Sequence, residues 1–134
     1  MELVRRSYEA FNRWGINPRG PRNPEIPPLL HPEVEFHTSA DAPEAGVYRG
    51  RDAVVEYHVR VFEQFESVRI ELEELLPAGD RVVIVTRQHT VPLAGDAEIV
   101  QRVVDVWTIQ DGQLAERRPF STRAEALEAA GLAE

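Results

Sequence analysis

VVDVWTIQDGQL, residues 103–114, is the stretch on which the reading of this chain turns. Val103 to Ile109 is a β-branched and aromatic run. It breaks at Asp111-Gly112, a pair suited to a tight hairpin turn because both positions tolerate a left-handed backbone. Gln113 to Phe120 then leaves the turn as a partner strand. Odd and even positions of the first run are both apolar, which predicts a strand covered on both faces. Asp105 alone interrupts it. A carboxylate among three valines and a tryptophan must face water, be paired, or be kept for chemistry.

Upstream, Val68 to Leu76, Arg81 to Val91 and Glu98 to Ile109 read as strands separated by the turns PAGD and PLAGD. RVVIVT, residues 81–86, is again apolar at alternate and intervening positions alike. Glu33 to Thr38, EVEFHT, alternates as a strand, and SADAPEAGVYRG after it reads as a loop. Helical spacing appears twice. Met1 to Gly15 places Val4, Tyr8 and Phe11 on one face beside Trp14, with Gly15 as its expected stop. After Gly50, Val54, Tyr57, His58, Val61, Phe62 and Phe65 form a second apolar stripe. Thr122 is positioned to cap a last helix over TRAEALEAAG.

Helices first and an antiparallel meander after predict one α+β domain over residues 1–134. If the helices cover one sheet face, the other, carrying Val83, Val85, Val104 and Val106, should meet a second subunit. That predicts a homodimer through the convex sheet face. Residues 15–32 hold six prolines, too many for a long helix, with Asn23-Pro24 suited to cap one short turn ending near Leu30. Residues 18–32 could form a stiff rim or lid.

Composition narrows the partners. A formal charge of -8 assembles no basic face for nucleic acid phosphates or an anionic membrane surface. A small-molecule or protein partner fits better, and the aromatic residues Trp14, Phe36, Tyr57, Phe62 and Trp107 favour an apolar small-molecule ligand. With no cysteine there is no disulfide framework or thiolate metal site, and the first residues lack the apolar core of a signal peptide, so a cytoplasmic location is expected. All 15 basic residues are arginine, which excludes a lysine Schiff base.

The pieces HPEVEFHT at 31–38, YRGRDAVVEY at 48–57, GDRVVIV at 79–85, VVDVWTIQDGQL at 103–114 and TRAEALEAAGL at 122–132 resemble, in that order, the nuclear transport factor two-like superfamily. Within it the chain is most similar to SnoaL-like and ketosteroid isomerase-like proteins. The resemblance implies a cone-shaped curved antiparallel sheet packed against three main helices, with an internal pocket. It implies a cofactor-independent enzyme moving a proton next to a carbonyl, as an isomerase or polyketide cyclase does. A non-catalytic ligand-binding module or a dimeric accessory protein of the same fold are its alternatives, because one fold hosts many functions.

Three residues match the catalytic positions of ketosteroid isomerases. Asp105 matches an acid that hydrogen-bonds the developing enolate oxygen, and Tyr8 matches the tyrosine of the first helix. A gap-free reading from His31-Pro32 puts His37 at the position of their general base, a departure from the aspartate those enzymes carry there, and an imidazole of ordinary pKa can still take a proton. Glu35, two residues earlier, would orient it. Trp14 and Trp107 are expected as pocket walls. Thr86 and Gln88 stand where the superfamily's epoxide hydrolases carry an Arg-x-Asp pair, and Arg118 and Phe120 are expected to face inward by alternation. An apolar pocket would keep Asp105 protonated, whereas an inward arginine would keep it ionised as an ion-pair partner or as the base itself. As a metal pair Glu35 and His37 show no third ligand, so no metal is expected.

Overall fold

The computed structural model describes residues 1–95 and 97–132. Three helices, α1 (Glu2–Ile16), α2 (Arg51–Phe62) and α3 (Arg123–Ala129), accompany six strands. These are β1 (Leu30–His37), β2 (Val47–Arg49), β3 (Phe65–Ala78), β4 (Arg81–Pro92), β5 (Ile99–Gln110) and β6 (Gln113–Phe120). They form one unclosed sheet in the order β2-β1-β6-β5-β4-β3. The expected meander is β3 to β6. The sheet is mixed and not wholly antiparallel, because β1 lies parallel to β6. Three-residue β2, within the segment read as a loop, is too short to show an alternation of its own.

The β5–β6 turn forms as its sequence demands. Asp111 (φ 55) and Gly112 (φ 73) both take the left-handed backbone. Thr122 caps α3, its hydroxyl accepting from the Glu125 amide at 3.2 Å. α1 runs through Gly15 to Ile16, so Gly15 is not the stop expected from sequence. Its role is close approach: a Cβ there would lie 1.9 Å from the Val68 carbonyl oxygen of β3. Asn12, one turn earlier, fastens the same strand. Its amide donates to the Ile70 carbonyl (2.8 Å) and its oxygen accepts from the Ile70 amide (2.7 Å).

Two apolar clusters sandwich the sheet. On the concave side Val82, Ile84 and Trp107 pack with Val4, Ala10 and Trp14 of α1 and Val54, Val55 and Phe62 of α2. On the convex side Val83, Val85, Val104 and Val106 are 0 to 6% exposed, buried with Ala126 and Leu127 of α3. A second subunit is therefore not needed to cover these valines. The sequence-based count puts all three helices on one face, whereas α3 sits alone on the other. The proline-rich segment forms a 3-10 turn at Pro27–Leu29, and its Ile26 is 1% exposed in the concave core. Asn23 ties it to the Ala10 carbonyl of α1 (2.9 Å), and none of its residues lines the cavity, so it is a strap on α1 and not a rim. Among the described residues no helix is long and apolar enough to cross a membrane.

Candidate functional site

Between the concave sheet face and helices α1 and α2 lies a cavity of about 330 Å³. Its walls combine aliphatic side chains with aromatic ones, Phe11, Phe36, Tyr57, Phe62, Phe65 and Trp107 contributing rings. Tyr8, His58, Asp105 and Arg117 provide its interior polar chemistry, and Gln88, Thr90, Gln101, Thr38 and Ser39 add neutral polar groups. A mostly apolar space with a few convergent polar groups is what a small-molecule site requires.

Asp105 points inward from β5, as Val104 and Val106 on either side point outward into the α3 cluster. Its Oδ1 lies 2.8 Å from Arg117 Nη2, with the two side chains only 5% and 11% exposed. The approach is a charge contact without hydrogen-bond alignment, and Oδ1 has no hydrogen-bond partner among the described residues. Burial raises the Asp105 carboxyl above the ordinary carboxylate range, and the Arg117 guanidinium opposes that rise. Arg117 is itself held in place: Nη1 donates to the His37 carbonyl at 2.7 Å, and the guanidinium lies 4.7 Å from the Phe36 ring centre.

The arginine of the site is thus Arg117 and not Arg118. Strand register gives the reason. Val106 pairs with Arg118 and Val104 with Phe120, so Arg118 and Phe120 share the outer face, while Trp107 pairs with Arg117 on the inner one. Leu114 also faces the cavity, which simple alternation with Arg117 forbids. An irregularity between the Ile109–Leu114 and Thr108–Glu116 pairs restores it: two steps along β6 oppose one along β5, a bulge that reverses the facing of the rest of β6. Arg118 pairs with Glu116 on the outside (2.9 Å), and Phe120 packs in the convex cluster.

His37 and Glu35 also lie outside the cavity. β1 shifts register against β6 between Leu30 and Glu35, and it is Phe36 and Thr38 that line the interior. A gap-free alignment cannot see that shift. His37 Nε2 instead donates toward Glu35 Oε1 at 3.2 Å. Glu116 joins them, the three ligand atoms lying within 4.8 Å of one another. It supplies the third potential ligand that the sequence did not reveal, although Arg49 and Arg118 already neutralise these carboxylates. Of the other expected wall residues, Trp107 and Gln88 line the cavity. Trp14 is 4% exposed in the core, its ring edge-on to Phe62 at 4.7 Å, and Thr86 is fully buried with its hydroxyl 3.4 Å from the Val103 carbonyl.

Tyr8 reaches the cavity from α1. Burial pushes its hydroxyl pKa far up, with Asp105 adding to the rise and Arg117 and the Trp107 indole N–H opposing it, so it stays protonated and can donate. His58 shows in the sequence only as part of an apolar stripe. It lines the cavity, and burial pushes its pKa down to about 4. Its Nδ1 is 2.8 Å from the Val54 carbonyl, which can only accept, so Nδ1 carries the proton and Nε2 is left with a lone pair. A histidine on the buried stripe of a helix that flanks a pocket was the available signal.

The SnoaL-like domain family model matches residues 4–117, and the chain belongs to that family. Solved structures of the same fold include an NTF2-like protein of unknown function from Burkholderia pseudomallei K96243, 23% identical, with TM-score 0.76 over 96% of this chain and 94% of that one. TerC, co-crystallised with polyporic acid, is 22% identical with TM-score 0.74 over 97% and 96% of the two chains. A candidate SnoaL-like polyketide cyclase from Jannaschia sp. CCS1 is 22% identical with TM-score 0.66 over 96% and 88%. No curated protein sequence matches this chain.

Proposed function

We propose that the protein is a cofactor-independent acid–base enzyme that moves a proton on the carbon next to a carbonyl of a small apolar compound. One observation carries this reading: Asp105 is buried in the cavity with Oδ1 lacking a hydrogen bond, beside a protonated tyrosine. A buried carboxylate of raised pKa on the cavity wall is a base matched to a weak carbon acid. In the forward step Asp105 takes the α-proton. The electron pair of the broken C–H bond moves into an enolate whose oxygen accepts a hydrogen bond from Tyr8. Returning the proton to another carbon completes an isomerisation, return to the same carbon being exchange only, and attack of the enolate carbon on a second carbonyl, with Asp105 giving its proton to the resulting alkoxide, completes a cyclisation. Arg117 keeps Asp105 ionised and oriented between turnovers.

The test uses 2-tetralone in D2O, with deuterium uptake at the α-carbons followed by proton NMR. Wild type should exceed the buffer rate, Asp105→Asn should lose roughly 10²- to 10⁴-fold, and Tyr8→Phe should lose less. His37→Ala should match wild type, because its imidazole faces away from the cavity. Exchange at the buffer rate, or an undiminished Asp105→Asn, rejects the reading. The Asp105–Arg117 pair would also serve a pocket that only holds a ligand, and in that case probes bind without exchange.

A further inference from the structure

We infer that His58 is a specificity-determining residue of the cavity: its Nε2 accepts a hydrogen bond from a hydroxyl or N–H of the ligand, so the protein selects neutral ring compounds that carry such a donor. The inference rests on the proposal above only in placing the ligand in this cavity. It deepens that proposal by assigning the part of the ligand distant from the reacting carbon.

The tautomer comes first. The Val54 carbonyl fixes the proton on Nδ1 at 2.8 Å, leaving Nε2 an acceptor. Around the ring stand Phe36, Phe11, Tyr57 and Phe62, their centres 4.8, 5.3, 5.5 and 6.2 Å away. Among the described residues nothing donates to Nε2. A wholly apolar ligand filling this cage would strip water from that lone pair and offer nothing in return, a cost a hydroxyl avoids.

The cavity divides its polar groups between two ends. Tyr8 donates at the reacting end, beside Asp105, whose Oδ1 is held in an ion pair with Arg117. The Asp105 charge is offset by Arg117, whose guanidinium lies on the Phe36 ring that also touches His58. A cationic ligand would meet Arg117, and an anionic group beside His58 would meet the Nε2 lone pair. Neutral ring compounds that carry a hydrogen-bond donor toward His58 avoid both costs. The depressed basicity of His58, whose pKa lies near 4, keeps the ring neutral at physiological pH, so it does not turn into a donor itself.

The experiment compares 2-naphthol with 2-methoxynaphthalene, which has the same rings and no donor, by fluorescence titration. Wild type should bind 2-naphthol roughly tenfold more tightly, the value of one hydrogen bond in a desolvated site. His58→Phe should bind both alike, while Asp105→Asn should keep the preference. In parallel, the His58 Nε2 resonance of wild type should show an unprotonated nitrogen that shifts upfield with 2-naphthol and not with the ether. This decides the matter even if His58→Phe does not fold. Equal affinities in wild type, a preference surviving in His58→Phe, or an unmoved Nε2 resonance each overturns the role of His58 and leaves the exchange chemistry standing. Binding of neither probe overturns the cavity as a site for apolar rings, and with it both readings.

Discussion

Arg117 Nη2 stands 2.8 Å from Asp105 Oδ1 at the inner face of the sheet, while Arg118, its neighbour in sequence, is bound to Glu116 on the outer face. The two arginines therefore predict opposite outcomes. Removing Arg117 leaves a buried carboxylate without its counter-charge, and Arg117→Met should cost about 3–5 kcal/mol of stability at pH 8, less at pH 5 where Asp105 can protonate. Arg118→Met breaks a solvent-screened pair and should cost under about 1 kcal/mol. Urea unfolding of both variants at the two pH values separates them. Equal losses would mean that the facing assigned to β6 is wrong.

Asp105 carries a pH signature. Its folded pKa is raised by burial, so above an unfolded value of ~3.9 the unfolded chain gives up this proton before the folded one does. Stability contributed by the group is fully present below that value and is lost as pH rises through the folded pKa. Relative to Asp105→Asn, wild type should therefore lose melting temperature with rising pH in that window and run parallel above it. The variant can lie lower throughout, because Arg117 loses its partner, so the slope and not the offset is the readout. A wild type that gains on the variant as pH rises would show that Arg117 outweighs burial.

His58 has the opposite sign. Its pKa is about 4 in the folded protein, below the unfolded ~6.5, so the stability it contributes is present above ~6.5 and lost as pH falls toward 4. The difference corresponds to about 3 kcal/mol across the window. His58→Phe keeps an aromatic ring on the stripe and removes the titration, so its unfolding free energy should fall less than that of wild type between pH 7 and pH 4.5. Parallel curves would show that burial does not depress the His58 pKa.

Legibility in the sequence followed the regularity of the backbone. The β5–β6 hairpin was readable because Asp111-Gly112 fits one turn and the valine runs fit one period, and Asp105 was conspicuous as the single break in them. Facing was readable only as far as alternation held. The bulge at the start of β6 exchanged Arg118 for Arg117, whereas in β1 alternation holds, Val34 and Phe36 facing inward and His37 outward, and it was the family match and not the pattern that put His37 in the pocket. The β6 bulge, at Ala115, leaves no glycine or proline signature. His58 was hidden for another reason: a histidine on an apolar stripe fits a packed core as well as a pocket wall, and only the gap between α1, α2 and the sheet distinguishes them.

Gly15 gives a prediction that opposes helix propensity. Replacing an interior helix glycine by alanine ordinarily adds up to about 1 kcal/mol. Here the new methyl would lie 1.9 Å from the Val68 carbonyl oxygen, and that oxygen belongs to a strand that Asn12 clamps to the same helix. Neither element can withdraw without breaking the Asn12–Ile70 pair. Gly15→Ala should be destabilising by roughly 1–3 kcal/mol, the usual cost of overpacking. A stabilised variant in thermal unfolding would show that α1 and β3 are farther apart than described.

The convex face yields the last prediction. Leu127 is 3% exposed and closes the cluster over Val83, Val85, Val104 and Val106. α3 is short, held by its Thr122 cap and by the paired contacts of Arg123 with Glu74 of β3 at 2.9 and 3.0 Å. Leu127→Asp puts a carboxylate into that seam, removing apolar contact and adding a desolvation cost, and should destabilise by about 2–5 kcal/mol. Loosening α3 uncovers a run of valines on a sheet, a surface prone to association. Sedimentation of the variant should therefore show concentration-dependent self-association beyond that of wild type. The concave cavity lies across the sheet from this seam, so the fraction that stays folded should bind 2-naphthol as wild type does. Loss of binding from a fully folded variant would instead show that the two faces of the sheet are coupled.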